Sequence, residues 1–176
     1  MADGPRANSG TRRQAFALGH PLRPAVMTQP LIPWLVIGYG NTLRRDDGAG
    51  VRVAEAVEQW ALPGVQVLLR HQLAPELADA LARAARVVFV DAAAGEQTRP
   101  AWRPLRPAPR AAPLAHAADP RALLLLARAL FGRAPRAWLL TLPAPDLGYG
   151  EGLSPLAAAG AQAALLKLRR QLTAAP

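Results

Sequence analysis

Apolar positions along this chain alternate between two spacings. Leu31–Ile37 (LIPWLVI), Val65–Leu69 and Arg86–Val90 (RVVFV) are short, nearly unbroken apolar or β-branched runs, the length and composition of buried strands. Between them, Val51, Ala54, Val57 and Trp60 recur at helical spacing within Gly48–Leu62, which Pro63-Gly64 ends. Pro75–Ala85 reads as a second helix, with Pro75 suited to the first turn and Glu76 favourable to the helix dipole there. Trp102–Leu105 reads as a short strand at a sheet edge, the place to which proline is confined. Asp119–Phe131 is a third helix, capped by Asp119 with Pro120 at its first position, Arg136–Leu142 a fifth strand, and Leu156–Leu172 a closing amphipathic helix. This order, β-α-β-α-β-(β)-α-β-α, predicts a single α/β domain over residues 31–176. Its core is a mostly parallel twisted sheet of about five strands with helices on both faces. Open sheets of this kind bind ligands at the carboxyl ends of their strands, so the chemistry belongs in the residues just after each strand.

Residues 1–30 show no sustained period and are rich in Pro, Gly, Ala and Arg; they read as a disordered tail or as sequence upstream of the true start, with Met27 as the alternative initiator. Thr11-Arg12-Arg13 resembles a twin-arginine export signal, but Gly19-His20-Pro21-Leu22-Arg23-Pro24 follows where the signal needs an apolar stretch.

Composition narrows the chemistry. The chain of 176 residues contains no cysteine, which removes disulfides, zinc knuckles, iron–sulfur clusters and cysteine nucleophiles, and favours a reducing compartment such as the cytoplasm. Neither of its serines, Ser9 and Ser154, stands in a G-x-S-x-G elbow. No apolar run reaches the ~18 residues of a membrane helix, so no membrane association is expected. The net charge of +9 invites a nucleic-acid reading, but residues 31–98 hold six bases against eight acids. The excess lies in the tail, in Arg99–Arg110 and in the C-terminal part, not on one helix or face with aromatics between, so no nucleic-acid partner is expected.

The first strand runs into Gly38-Tyr39-Gly40-Asn41-Thr42-Leu43-Arg44-Arg45-Asp46-Asp47-Gly48-Ala49-Gly50. Glycines here let the backbone turn sharply and approach another group closely. A dinucleotide loop needs a third glycine where Leu43 stands, and a phosphate would meet Asp46 and Asp47. One aspartate suffices to cap the following helix, and that role is given to Asp46; Asp47, next to Gly48, is then free to point into the strand-end crevice. Asp91 closes the third strand (VVFVDAAAG), where a carboxylate is costly unless hydrogen-bonded, paired or metal-bound, or merely caps the loop that follows. Of the three histidines, His20 lies in the tail, His71 follows the second strand, and His116 precedes the third helix. Asp47, Asp91 and His116 all fall at loops that a parallel sheet gathers on one edge. Two carboxylates and an imidazole suit a borderline divalent ion such as nickel or zinc, and three protein ligands leave positions open for a substrate. From the residues alone the reading stops at a metal-assisted hydrolase.

Taken in order, GYGNTLRRDDGAG, HQLAPELA, VVFVDAAAG, HAADP and LLTLPAPDLGYGEGLSP resemble the hydrogenase maturation endopeptidases, from Trp34 to about Pro155. The resemblance implies an aspartyl-type endopeptidase that activates its partner by removing the C-terminal extension of a nickel–iron hydrogenase large-subunit precursor after nickel insertion. It implies that Asp47, Asp91 and His116 are the catalytic and nickel-recognising residues. The enzyme then has no cofactor of its own, the nickel being carried by the precursor. The alternative is a non-catalytic chaperone that senses metal loading of the same large subunit. Arg99, Arg103, Arg106 and Arg110, with no acid among them, would either dock an acidic surface of the precursor or form a solvated, proline-stiffened loop.

Overall fold

The computed structural model describes residues 31–109 and 119–174. Five strands form one sheet in the order β2-β1-β3-β5-β4. They are β1 (Ile32–Tyr39), β2 (Val65–Arg70), β3 (Ala84–Ala93), β4 (Ala101–Leu105) and β5 (Arg136–Pro143). β1, β2, β3 and β5 run parallel, and β4 pairs antiparallel with β5 alone, so Pro104 does stand in an edge strand. Among the described residues four helices cover the sheet: α1 (Ala49–Glu58), α2 (Leu77–Arg83), α3 (Pro120–Phe131) and α4 (Pro155–Thr173).

Strand alternation divides the interior into two apolar layers. Val36, Val88, Val90, Leu140 and Leu142 face α1 and α4, packing on Val53, Val57, Ala164 and Leu168. Leu35, Ile37, Val87 and Phe89 face α2 and α3, packing on Leu77, Leu81, Leu123 and Leu124. Both faces of the central strands are thus buried, which is why their sequences read as continuous apolar runs.

Several boundaries differ from the sequence reading. β1 continues through Gly38 to Tyr39, and β3 starts at Ala84 and runs through Asp91 to Ala93. Non-local pairing explains the second extension: Asp91, Ala92 and Ala93 lie in register with Thr141, Leu142 and Pro143 of β5. α1 is preceded by a 3-10 turn over Arg45–Gly48 and ends at Glu58. α3 begins as its sequence predicts, with the Asp119 carboxylate accepting from the Arg121 N–H at 2.8 Å.

Chain order places a crevice between β1 and β3. The chain leaves β1 for one side of the sheet, to α1 and β2, and leaves β3 for the other, toward α3 and β5. Neighbouring strands whose connections depart in opposite directions leave a gap at their carboxyl ends, the usual ligand position in such sheets. The glycine loop closes tightly on this gap. A Cβ at Gly50 would stand 2.4 Å from the Val90 carbonyl oxygen, so α1 starts in direct backbone contact with β3. Gly40 has φ +134°, and a Cβ there would stand 1.9 Å from the Asp47 carbonyl oxygen. These glycines serve close backbone packing.

Candidate active site at the carboxyl edge of the sheet

Asp47 and Asp91 are brought to the same rim. Asp91 stands on β3 beside the end of β1, and Asp47 lies in the 3-10 turn that follows the glycine loop. Both are half-buried. The Asn41 backbone N–H donates to Asp47 Oδ2 at 2.8 Å, so the glycine loop itself orients that carboxylate. The Tyr39 hydroxyl donates to Asp91 Oδ2 at 2.8 Å.

The Asp91 carboxyl titrates above its ordinary range. Burial is the main cause; the hydrogen bonds from Tyr39 and from the Ala92 N–H pull it back in part, and the negative charge of Asp47 pushes it further up. The Coulombic effect of Asp47 shows that the two acids share one electrostatic environment. The Tyr39 hydroxyl is pushed well up by burial, then by the charge of Asp91 and the bond to it, then by the charge of Asp119.

His116, the third residue of the expected set, lies outside the described residues, as does Arg110. Among the described residues no three Asp, Glu or His side chains are grouped to hold a metal ion. The described part of the site is a pair of carboxylates, Asp47 held by the Asn41 N–H and Asp91 by the Tyr39 hydroxyl and the Ala92 N–H. Oxygen donors of this kind suit a divalent ion presented by another molecule, and a carboxylate with a raised pKa suits proton transfer. His71 is exposed and instead helps line a cleft of about 260 Å3 with Thr42, Glu55 and Arg70 on the β2 side of the glycine loop.

The role given to Asp46 needs correction. Its side chain makes no helix-capping bond. It is fully buried, and its carboxylate accepts three hydrogen bonds from the far end of the chain. Ser154 N donates to Oδ1 at 2.7 Å, the Ser154 hydroxyl to Oδ2 at 2.8 Å and Asp146 N to Oδ2 at 2.9 Å. Ser154 in turn caps α4, its Oγ accepting from the Ala157 N–H at 3.2 Å. The same two segments are joined by Arg45 N to Gly150 O at 3.0 Å, Gly150 N to Leu43 O at 2.9 Å, and an Arg45–Asp146 ion pair at 2.9 Å. Asp46 thus fastens residues 146–154 against the glycine loop.

Sequence reasoning missed Tyr39, Asp146 and Ser154. Tyr39 carried a usable signal: a tyrosine between two glycines at the end of a buried strand, with the side-chain parity that faces Asp91 once β1 and β3 are neighbours.

No protein-family model matches the chain, and no curated protein does. Solved structures do. The chain is similar to the hydrogenase maturating endopeptidase HybD from E. coli, with 25% identity, TM-score 0.63, and coverage of 80% of this chain and 91% of that one. It is similar to the nickel–iron hydrogenase maturation protease HycI from Thermococcus kodakarensis, with 26% identity, TM-score 0.60, and coverage of 80% and 92%. An endopeptidase from Escherichia coli gives 28% identity, TM-score 0.58, and coverage of 80% and 94%. The resemblance carried by the motifs therefore extends to the whole fold, and the fold is that of peptide-bond hydrolases.

Proposed function

We propose, from a chain that shares both motifs and fold with the hydrogenase maturation endopeptidases, that it is an endopeptidase acting once on a nickel–iron hydrogenase large-subunit precursor. It removes the C-terminal extension after nickel insertion, in the cytoplasm. Among the described residues no helix is long and apolar enough to cross a membrane. The observation that supports this reading best is the convergence of Asp47 and Asp91 at the crevice between β1 and β3, inside a fold shared with known endopeptidases.

In this reading the nickel belongs to the substrate. Asp47, Asp91 and His116 meet the loaded metal and so hold the scissile peptide beside the rim. The chain itself has no sulfur ligand but the two methionines, so it reads the metal without competing for it through cysteine. Hydrolysis needs a proton acceptor for the attacking water. Asp91 serves as that acceptor, because burial makes its carboxylate more basic than an ordinary one. Asp47, aligned by the Asn41 N–H, completes the negative rim that faces the cation.

The test is incubation of the chain with nickel-loaded and nickel-free precursor, followed by intact-mass measurement. Loss of the extension from the loaded form alone is the expected result. A precursor that binds the chain but keeps its extension would refute cleavage and favour the metal-sensing chaperone, which needs the same ligands and breaks no bond.

A further inference from the structure

We infer that Tyr39 is a positioning residue for Asp91, fixing the rotation of its carboxylate so that the acid faces the crevice in one orientation. This rests on the proteolytic reading above only for what the acid then does; the positioning itself follows from geometry.

Four observations carry it. β1 and β3 are paired with Gly38 opposite Val90, so the next residues, Tyr39 and Asp91, end up side by side at the carboxyl edge. Strand alternation puts both on the α2/α3 face, in line with Leu35 and Ile37 on β1 and Val87 and Phe89 on β3. The Tyr39 ring is only 9% exposed and is packed in that apolar layer, so its hydroxyl is delivered from a rigid base. The hydroxyl meets Asp91 Oδ2 at 2.8 Å, across 52 residues of sequence.

A carboxylate on a short side chain rotates about its last torsion with little resistance, and that torsion is broad in the absence of partners. The Tyr39 hydroxyl on Oδ2, acting beside the Ala92 N–H at the base of the side chain, removes that freedom. Groups that orient a ligating or catalytic side chain in this way typically matter 10–100-fold for activity. Phenylalanine would fill the same apolar space without the hydroxyl. Packing therefore accounts for the ring, and only the bond to Asp91 accounts for the oxygen.

The experiment compares the wild-type chain, Tyr39→Phe and Ile37→Val. Ile37 is buried in the same layer one pleat away and lies in register with Phe89, so its variant measures simple core damage. Crystal structures of wild type and Y39F are expected to show the Asp91 carboxylate turned, or split over several orientations, in the variant. An unchanged carboxylate overturns the inference, and this readout needs no activity. Single-turnover trimming of nickel-loaded precursor is expected to show a maximal rate about 10–100-fold lower for Y39F. Its half-saturating precursor concentration should stay within about twofold of wild type, as expected where transition-state stabilisation alone is lost. I37V should lower the Tm and leave the rate of the folded protein unchanged. Equal maximal rates for wild type and Y39F, or a rate defect that I37V reproduces, also overturn the inference. A wild-type chain that trims nothing refutes the proteolytic reading instead, and the orientation of Asp91 then decides the role of Tyr39 by itself.

Discussion

Replacing Asp46 by asparagine or alanine should destabilise the protein severely, although its neighbour Asp47 tolerates the same change. Three donors converge on the Asp46 carboxylate at 2.7–2.9 Å, and the residue is fully buried. Asparagine keeps the shape but has one acceptor oxygen where two are needed. With its oxygen at the Oδ2 position, its amide faces the Ser154 N–H. Turned over, it faces the Asp146 N–H. Either way a buried backbone N–H meets another donor, which costs ~1–3 kcal/mol, and the remaining bonds lose their charge assistance. The cost of burying the original charge offsets part of this. The balance for D46N is about 2–3 kcal/mol, and for D46A, which orphans all three donors, about 3–5 kcal/mol. In a domain of this size that is a Tm lower by roughly 5–15 °C. Urea unfolding followed by tryptophan fluorescence measures it, and limited proteolysis should show residues 146–154 opened to attack. D47N, losing charge assistance on one bond from Asn41, should stay within ~1 kcal/mol of wild type while abolishing trimming of the precursor. A D46N protein within ~0.5 kcal/mol of wild type would refute the fastening role, since that is the ordinary range for surface changes.

Other expectations follow from the same geometry. The raised pKa of Asp91 means that the folded state holds this proton more tightly than the unfolded chain. The associated stability is present below the ordinary aspartate range, ~3.9, and is lost as pH rises through the folded-state value. Asp91→Asn should therefore raise the Tm at pH 7, with the gain vanishing toward pH 4, while removing activity; a lower Tm at pH 7 would contradict the assignment. Gly40→Ala combines a positive φ with a Cβ 1.9 Å from a carbonyl oxygen, so it should cost ~3 kcal/mol or more, read as a fall in soluble yield and in Tm.

The architecture was legible because its signals are local or periodic. The apolar run of β3, the proline in β4 and the Asp119-Pro120 start of α3 each determine their element with little help from the rest of the chain. Asp91 stood out for a related reason, since a charged residue at the end of an apolar run is rare, although the strand continues past it to Ala93. The division of labour between Asp46 and Asp47 was not. Both are aspartates in one turn, and what separates them is contact with Asp146 and Ser154, 100 and 108 residues away. The extent of β3 depends in the same way on pairing with β5, and Tyr39 gains a partner only when β1 and β3 become neighbours.

Fastening residues 146–154 to the glycine loop separates two kinds of evolutionary freedom. The bonds that hold the joined loops come from backbone groups, Asp46, Ser154, Arg44 and the Arg45–Asp146 pair, whereas Leu43 and Tyr149 project from them 61% and 88% exposed, the Arg44 guanidinium lying over the Tyr149 ring. Exchanging those two projecting side chains should cost no more than the exposed Arg44–Tyr149 contact and leave the fold and the two rim acids in place. A lineage could retune which surface it greets without reopening the question of how it cuts.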